Sequence, residues 1–403
     1  MCAAIAPTLS DMIPLAIPNL SGNEARYLQE CIETNFVSSV GPFVDRFEEM
    51  VAQACGTKQA VATSSGTSAL HVMLAAIGVG TGDLVLMPAL TFIATANAIS
   101  YTGAKPVFID VSADSWTLDP QSVAGFLEGH CARIDGRVVH QTSGQRVAAV
   151  MCVHTLGHPA EMDGLQQVAD AWSLPLLGDA AAALGALYRG REVTSMGYAA
   201  ALSFNGNKTV TCGGGGAVVS QDEAFLARVR HLSTTARSSR DYDHDQVGFN
   251  YRMTNLQAAV GCAQMERVRD FVRSKTEIAH RYQSGLRGLP DMEFFPEAPW
   301  GRSAHWFSGF LITEKSGMSV GEIVAKLNEA GIGARAFWKP IHFQQPYSDC
   351  IRGPLSVSEN IWHRVVTLPC STNLPLSDQD AVIDGIKRIL VAPSARPIAV
   401  PSR

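Results

Sequence analysis

Six short runs of almost unbroken apolar residues, spaced by helix-like segments, constrain this chain more tightly than anything else in it. They are Leu84-Val85-Leu86-Met87-Pro88, Pro106-Val107-Phe108-Ile109-Asp110-Val111, Val147 to His154, Pro175-Leu176-Leu177-Gly178-Asp179, Ala199 to Phe204, and Gly216 to Ser220. None alternates apolar with polar residues, as a strand with one wet face would. Strands covered on both faces have this look. Helical patterns stand between most of them, at Ser68 to Ile77, Ala94 to Ser100, Gln121 to Leu127 and Met162 to Trp172. Strand and helix in alternation predict an α/β fold, with a mostly parallel central sheet flanked by helices.

The last third reads differently. Ala258 to Leu286 predicts one long amphipathic helix, and Gly288-Leu289-Pro290 and Pro296 to Pro299 then break the chain. Trp306 to Thr313, a helix from Val320 to Ala330 and a closing helix from Gln379 to Leu390 suit a smaller α+β domain. The expected division is residues 1–270 for a large domain with its N-terminal segment, and 271–403 for the small one. A chain of 403 residues buries enough surface to need no metal or disulfide staple.

Composition removes several function classes. With 46% hydrophobic residues and a formal net charge of −5, the chain is neither disordered nor basic enough to bind nucleic acid through its phosphates. Its longest apolar stretches fall far short of the roughly 20 residues a membrane span needs. Met1 to Pro14 lacks a basic region ahead of its apolar residues, unlike a secretory signal. Nine dispersed cysteines without a Cys-x-x-Cys pair are expected to be reduced thiols of a cytoplasmic protein, with no metal site. Ala392 to Arg403 is expected to fray.

Three segments at the ends of predicted strands carry the chemistry, where open α/β sheets bind ligands. Ser64-Ser65-Gly66-Thr67-Ser68 opens a helix with small hydroxyl residues, which suits an anion such as phosphate; alone it reads more readily as a plain helix cap. Asp179 ends an apolar strand and is followed by Ala180-Ala181-Ala182, a costly burial unless a cation faces it. Lys208 lies between a strand and the run Cys212-Gly213-Gly214-Gly215-Gly216. A partly desolvated lysine there has a lowered pKa and becomes an amine nucleophile. Each has a bland reading in isolation: helix caps and a surface lysine. Together they match what pyridoxal 5′-phosphate requires, namely a phosphate cradle, a carboxylate for the ring nitrogen and a lysine for its aldehyde.

With those residues in view, the sequence resembles the DegT/DnrJ/EryC1/StrS family of nucleotide-sugar aminotransferases, of fold type I among pyridoxal-phosphate enzymes. The motifs run in order: Ser21-Gly22-Asn23-Glu24, Ser38-Ser39-Val40-Gly41-Pro42, Ser65-Gly66-Thr67, Thr91-Phe92-Ile93-Ala94-Thr95, Gly178-Asp179-Ala180-Ala181, Ser203-Phe204 with Lys208, Gly248-Phe249-Asn250-Tyr251-Arg252-Met253, and Leu368-Pro369. The resemblance implies that Lys208 binds the cofactor covalently and shuttles protons, and that Asp179 meets the pyridine nitrogen. It implies that Phe92 stacks on the ring, and that Gly66, Thr67 and Ser203 hold the phosphate. Asn250 would reach the phosphate of the neighbouring subunit, which makes a homodimer with shared sites. His154, Arg252 and His342 take positions associated with the sugar nucleotide. The implied reaction moves an amino group from L-glutamate to a nucleotide-linked 4-keto-6-deoxy sugar for surface-glycan synthesis.

Two features depart from the family pattern or narrow it. Ala182 stands where many members carry Gln or His near the cofactor's ring oxygen. An insertion at Gly129 to Arg146, with Gly157-His158-Pro159, resembles the legionaminic-acid-type branch, whose substrate is a UDP-linked 4-keto-6-deoxy-N-acetylhexosamine. Amination at C3 and a GDP-linked hexose of perosamine type are the alternatives. A sugar 3-dehydratase would have His in place of Lys208, and a cofactor-binding regulator would need a DNA-binding module that the chain does not show.

Overall fold

The computed structural model describes residues 12–391, so the expected fraying at Ala392 to Arg403 and most of the Met1 to Pro14 segment lie outside the described residues. All six apolar runs become strands of one nine-stranded sheet. Across it the order is Gln59–Thr63, Gly216–Ser220, Ala199–Ser203, Leu176–Asp179, Arg146–Val153, Asp83–Pro88 and Lys105–Ile109. The last five of these are parallel neighbours, with registers such as Met151 to Leu177 and Leu177 to Ala199. Gly216–Ser220 runs against both of its partners, which returns Gln59–Thr63 to the common direction. The parallel strands and Gln59–Thr63 therefore end at a single edge.

Two-sided burial explains the unbroken apolar runs. Leu84 and Leu86 pack into one apolar core and Val85 and Met87 into another, on opposite faces of the sheet. All four are fully buried, and each such side chain contributes roughly 1.5–3 kcal/mol over its exposed state. The strand Gln59–Thr63 is absent from the sequence reading because Gln-Ala-Val-Ala-Thr carries little apolar bulk. The insertion before Arg146 is a hairpin, Cys131–Ile134 against Arg137–His140. It joins the sheet through Val139 opposite Arg146, at the start of that strand and so at the far edge from the strand ends.

The predicted long helix is in fact two, Asn255–Met265 and Val268–Leu286. Side chains at the junction hold the chain off its helical path. Glu266 accepts from Tyr27, Arg46 and Asn23, and Arg267 donates to Ser21. The first helix is buried nearly all round, whereas the second buries a stripe of Phe271, Lys275, Ile278, Tyr282 and Leu286. Its Ile278, Tyr282 and Leu286 pack, with the helices Val320–Glu329 and Leu376–Val391, on a four-stranded antiparallel sheet ordered Met292–Phe294, Ser308–Ile312, Val365–Leu368, Arg335–Ala336. Among the described residues, no helix is long and apolar enough to cross a membrane.

Candidate active site

A cavity of about 560 Å³ opens where the parallel strands end and the small sheet faces them. The cradle side is built first. Ser65 is extended and caps the helix Gly66–Ala76, its Oγ accepting from the Ser68 N–H at 3.0 Å. The first-turn amides beyond it have no carbonyl within the helix to bind. Close backbone approach explains the glycines: a Cβ on Gly66 would lie 2.7 Å from the Ser203 Cβ, and one on Gly216 would lie 2.4 Å from the Ser65 carbonyl oxygen. Gly66, Thr67 and Ser203 all line the cavity.

Asp179 ends its strand, and the chain then turns rather than entering a helix, so its carboxylate is not a helix cap. It is buried, accepting from Thr95 Oγ1 at 2.7 Å and from the Ala181 N–H at 3.1 Å. Burial raises its pKa; the two hydrogen bonds and the charge of Lys208 pull the other way. Such a carboxylate gains from a facing cation. Lys208 lies in the turn after Ala199–Ser203, its N–H bonded to the Asn205 carbonyl at 2.9 Å. Burial pushes its ammonium down to about 8, opposed by the charge of Asp179.

The floor under that lysine was not legible in the sequence. Lys208 Nζ sits 3.6 Å from the ring centroid of Trp306. The Trp306 indole N–H donates to the Asn207 carbonyl at 2.8 Å. Its own carbonyl accepts at 3.0 Å from Lys275, a buried lysine whose ammonium also lies 3.3 Å from Cys370 Sγ. Trp338 continues the wall, 5.9 Å from Trp306 and 5.7 Å from Phe92, centroid to centroid. Phe92 lines the cavity and is 53% exposed there.

Of the residues associated with the sugar nucleotide, His154 is in the cavity wall. Its Nδ1 accepts from the Ala160 N–H at 3.1 Å. Burial, with a smaller contribution from His158, pushes its pKa down to about 3, so the ring is neutral. The other two, His342 and Arg252, do not line this chain's own cavity. His342 is buried behind it, its Nε2 3.0 Å from Glu359 Oε1 and its ring against Phe108. Arg252 donates to the Ser39 carbonyl at 2.7 Å in a separate groove. Asn250, expected at the neighbouring subunit's phosphate, is exposed and bridged to Thr234. Ala182 does line the cavity, and its methyl offers no donor there.

An amine nucleophile, a buried carboxylate and an amide-and-hydroxyl cradle thus share one cavity, and a side chain at Gly66 would intrude on the cradle. That donor set fits pyridoxal 5′-phosphate. The family model for DegT/DnrJ/EryC1/StrS aminotransferases matches residues 18–387. The GDP-perosamine synthase of Caulobacter vibrioides is 36% identical over 387 residues, covering 95% of this chain and 100% of that one. Among solved structures, S. venezuelae DesV superposes with a TM-score of 0.81 at 31% identity, over 91% of this chain and 94% of its own. DesI, crystallised in the presence of its TDP-sugar product, does so at 0.84 and 30% identity, over 97% and 94%. The chain belongs to the DegT/DnrJ/EryC1/StrS aminotransferase family and is a pyridoxal-phosphate-dependent sugar aminotransferase.

Proposed function

We propose that this enzyme transfers the amino group of L-glutamate to the C4 keto carbon of a nucleotide-linked 4-keto-6-deoxy sugar. The observation that carries the reading is Lys208, an amine lowered to about 8 that shares a cavity with the buried carboxylate of Asp179. When bound, the cofactor supplies an electron sink that makes the substrate's carbon-bound proton acidic.

In this reading Lys208 holds the cofactor and then, once released, carries the proton between the reacting carbons. Asp179 keeps the pyridine nitrogen protonated, held in orientation by Thr95. The first-turn amides at Gly66 and Thr67, with the Ser203 hydroxyl, bind the phosphate, and Phe92 covers the ring face. Asn250 and Arg252 act in the neighbouring subunit's site, so the working unit is a homodimer, and the division near residue 270 separates the cofactor domain from the one that closes over it. His154 contacts the sugar as a neutral ring. His342 serves by packing behind the cavity wall.

For the sugar, the full-length similarity to a GDP-perosamine synthase favours a GDP-linked hexose. The hairpin insertion favours instead the UDP-linked N-acetylhexosamine first expected. A panel of GDP- and UDP-linked 4-keto-6-deoxy sugars, with 3-keto counterparts, should yield one amino product by mass and one clear preference. No conversion of any 4-keto sugar in the presence of glutamate rejects the proposal.

A further inference from the structure

Among the described residues lining the catalytic cavity, the lysine and arginine side chains are Lys208 and Arg335. Arg335 belongs to the short edge strand Arg335–Ala336, whose main chain is fixed to Val365–Leu368. It pairs with Thr367, and the Thr367 hydroxyl donates to its carbonyl at 3.0 Å. Its side chain is exposed, and no ion pair among the described residues includes it. A rigid backbone thus presents an uncommitted guanidinium. Three residues further on, the Trp338 ring lies 5.9 Å from that of Trp306, on whose ring Lys208 rests. The two cations therefore border one volume along an aromatic wall.

The chemistry of the two half-reactions separates the anions that this guanidinium could meet. An amino acid carries its α-carboxylate on the very carbon that reacts at Lys208, and glutamate has a second one three carbons away. The diphosphate of a nucleotide sugar is held off the reacting carbon by the hexose ring. A planar guanidinium also matches a carboxylate through two parallel hydrogen bonds. We propose that Arg335 grips a carboxylate of the amino donor; this rests on the transaminase reading above. Arg335 also borders an adjoining groove of about 590 Å³, from which a phosphate group would reach it, so the test separates the two sources of anion.

The experiment uses the full-length holoenzyme with Arg335→Gln and Arg335→Lys. Loss of the visible cofactor band is titrated with L-glutamate and with L-alanine, and binding of glutarate, GDP and UDP is measured by calorimetry. In Arg335→Gln the half-saturating glutamate and the glutarate dissociation constant should rise about 10- to 100-fold, the span expected for losing a charged hydrogen bond. Arg335→Lys should recover part of the loss, which guards against simple misfolding. GDP and UDP binding should change less than about threefold. A loss confined to glutamate assigns the side-chain carboxylate; a loss shared with alanine assigns the α-carboxylate. Unchanged glutamate and glutarate binding, or a loss confined to the nucleotides, overturns the assignment while leaving the aminotransferase reading intact. A wild-type enzyme whose cofactor band ignores glutamate overturns both.

Discussion

Two lysines reach the same tryptophan from opposite regions of the molecule, and they meet opposite fates. Lys275, from the helix under the small sheet, ends on the Trp306 carbonyl and Cys370 Sγ. Lys208, from a loop at the edge of the large sheet, ends on the Trp306 ring face. No hydrogen bond among the described residues occupies its ammonium. A lysine whose donors are spent on fixed acceptors is a strut; one resting on a π face, desolvated and tuned by a carboxylate, is free to react. Burial alone does not distinguish them. The acceptors do.

The sharpest way to break that comparison is Lys208→Ala. It should lower transamination by at least about 10³-fold and abolish the visible absorbance of lysine-linked cofactor, with the fold unchanged by circular dichroism. Persistence of that absorbance would show that another amine does the work.

Lys275→Met should behave in the opposite manner. Removing the ammonium leaves the Trp306 carbonyl with only the Cys370 thiol as side-chain donor, at a cost of about 1–3 kcal/mol, read as a lowered urea midpoint. Catalysis at saturating substrates should fall far less than in the alanine variant. A loss of activity as deep as that of Lys208→Ala, in a folded protein, would erase the distinction between strut and reactant.

The remaining effects are in pH dependence. The folded-state pKa of His154 lies near 3, below its ordinary value near 6.5, so the unfolded chain binds more protons between those limits. Stability is therefore fully present above about pH 6.5 and is lost as pH falls toward 3, by up to about 1.4 kcal/mol per pH unit. His154→Gln should flatten this slope relative to the parent in urea titrations at pH 4 to 7, and equal slopes would refute the neutral buried ring. Lys208 works at the other end. Reloading of apoenzyme with cofactor should accelerate as pH rises through about 8, and Asp179→Asn should move that inflection lower by removing the charge that sustains the ammonium.

Much of the fold was legible because two-sided burial leaves a local signature: Leu84 to Met87 must all be apolar when both faces are covered. Where burial was achieved by small residues, as in Gln59–Thr63, the signature vanished. The break at Glu266 and Arg267 was illegible for a different reason. The apolar period continues across it, and the kink comes from Tyr27, Arg46 and Ser21, more than 200 residues earlier in the chain. At the site, Asp179 and Lys208 stood out because charged residues at the ends of buried strands need an explanation. Trp306 and Arg335 resembled any tryptophan and arginine until the small sheet was docked.

The sequence by itself determined the sheet, the edge at which its parallel strands end, the cofactor and the lysine proposed to meet it. Each of these was read from short local segments, in which apolar period and unpaired charge are visible, taken together along the chain. Only the tertiary structure decided the aromatic floor, the strut behind it, the placement of His342 and Arg252 off the cavity, and the second cation on its wall. Those depend on contacts between segments 31 to 213 residues apart, and no local pattern encodes which distant surfaces will meet.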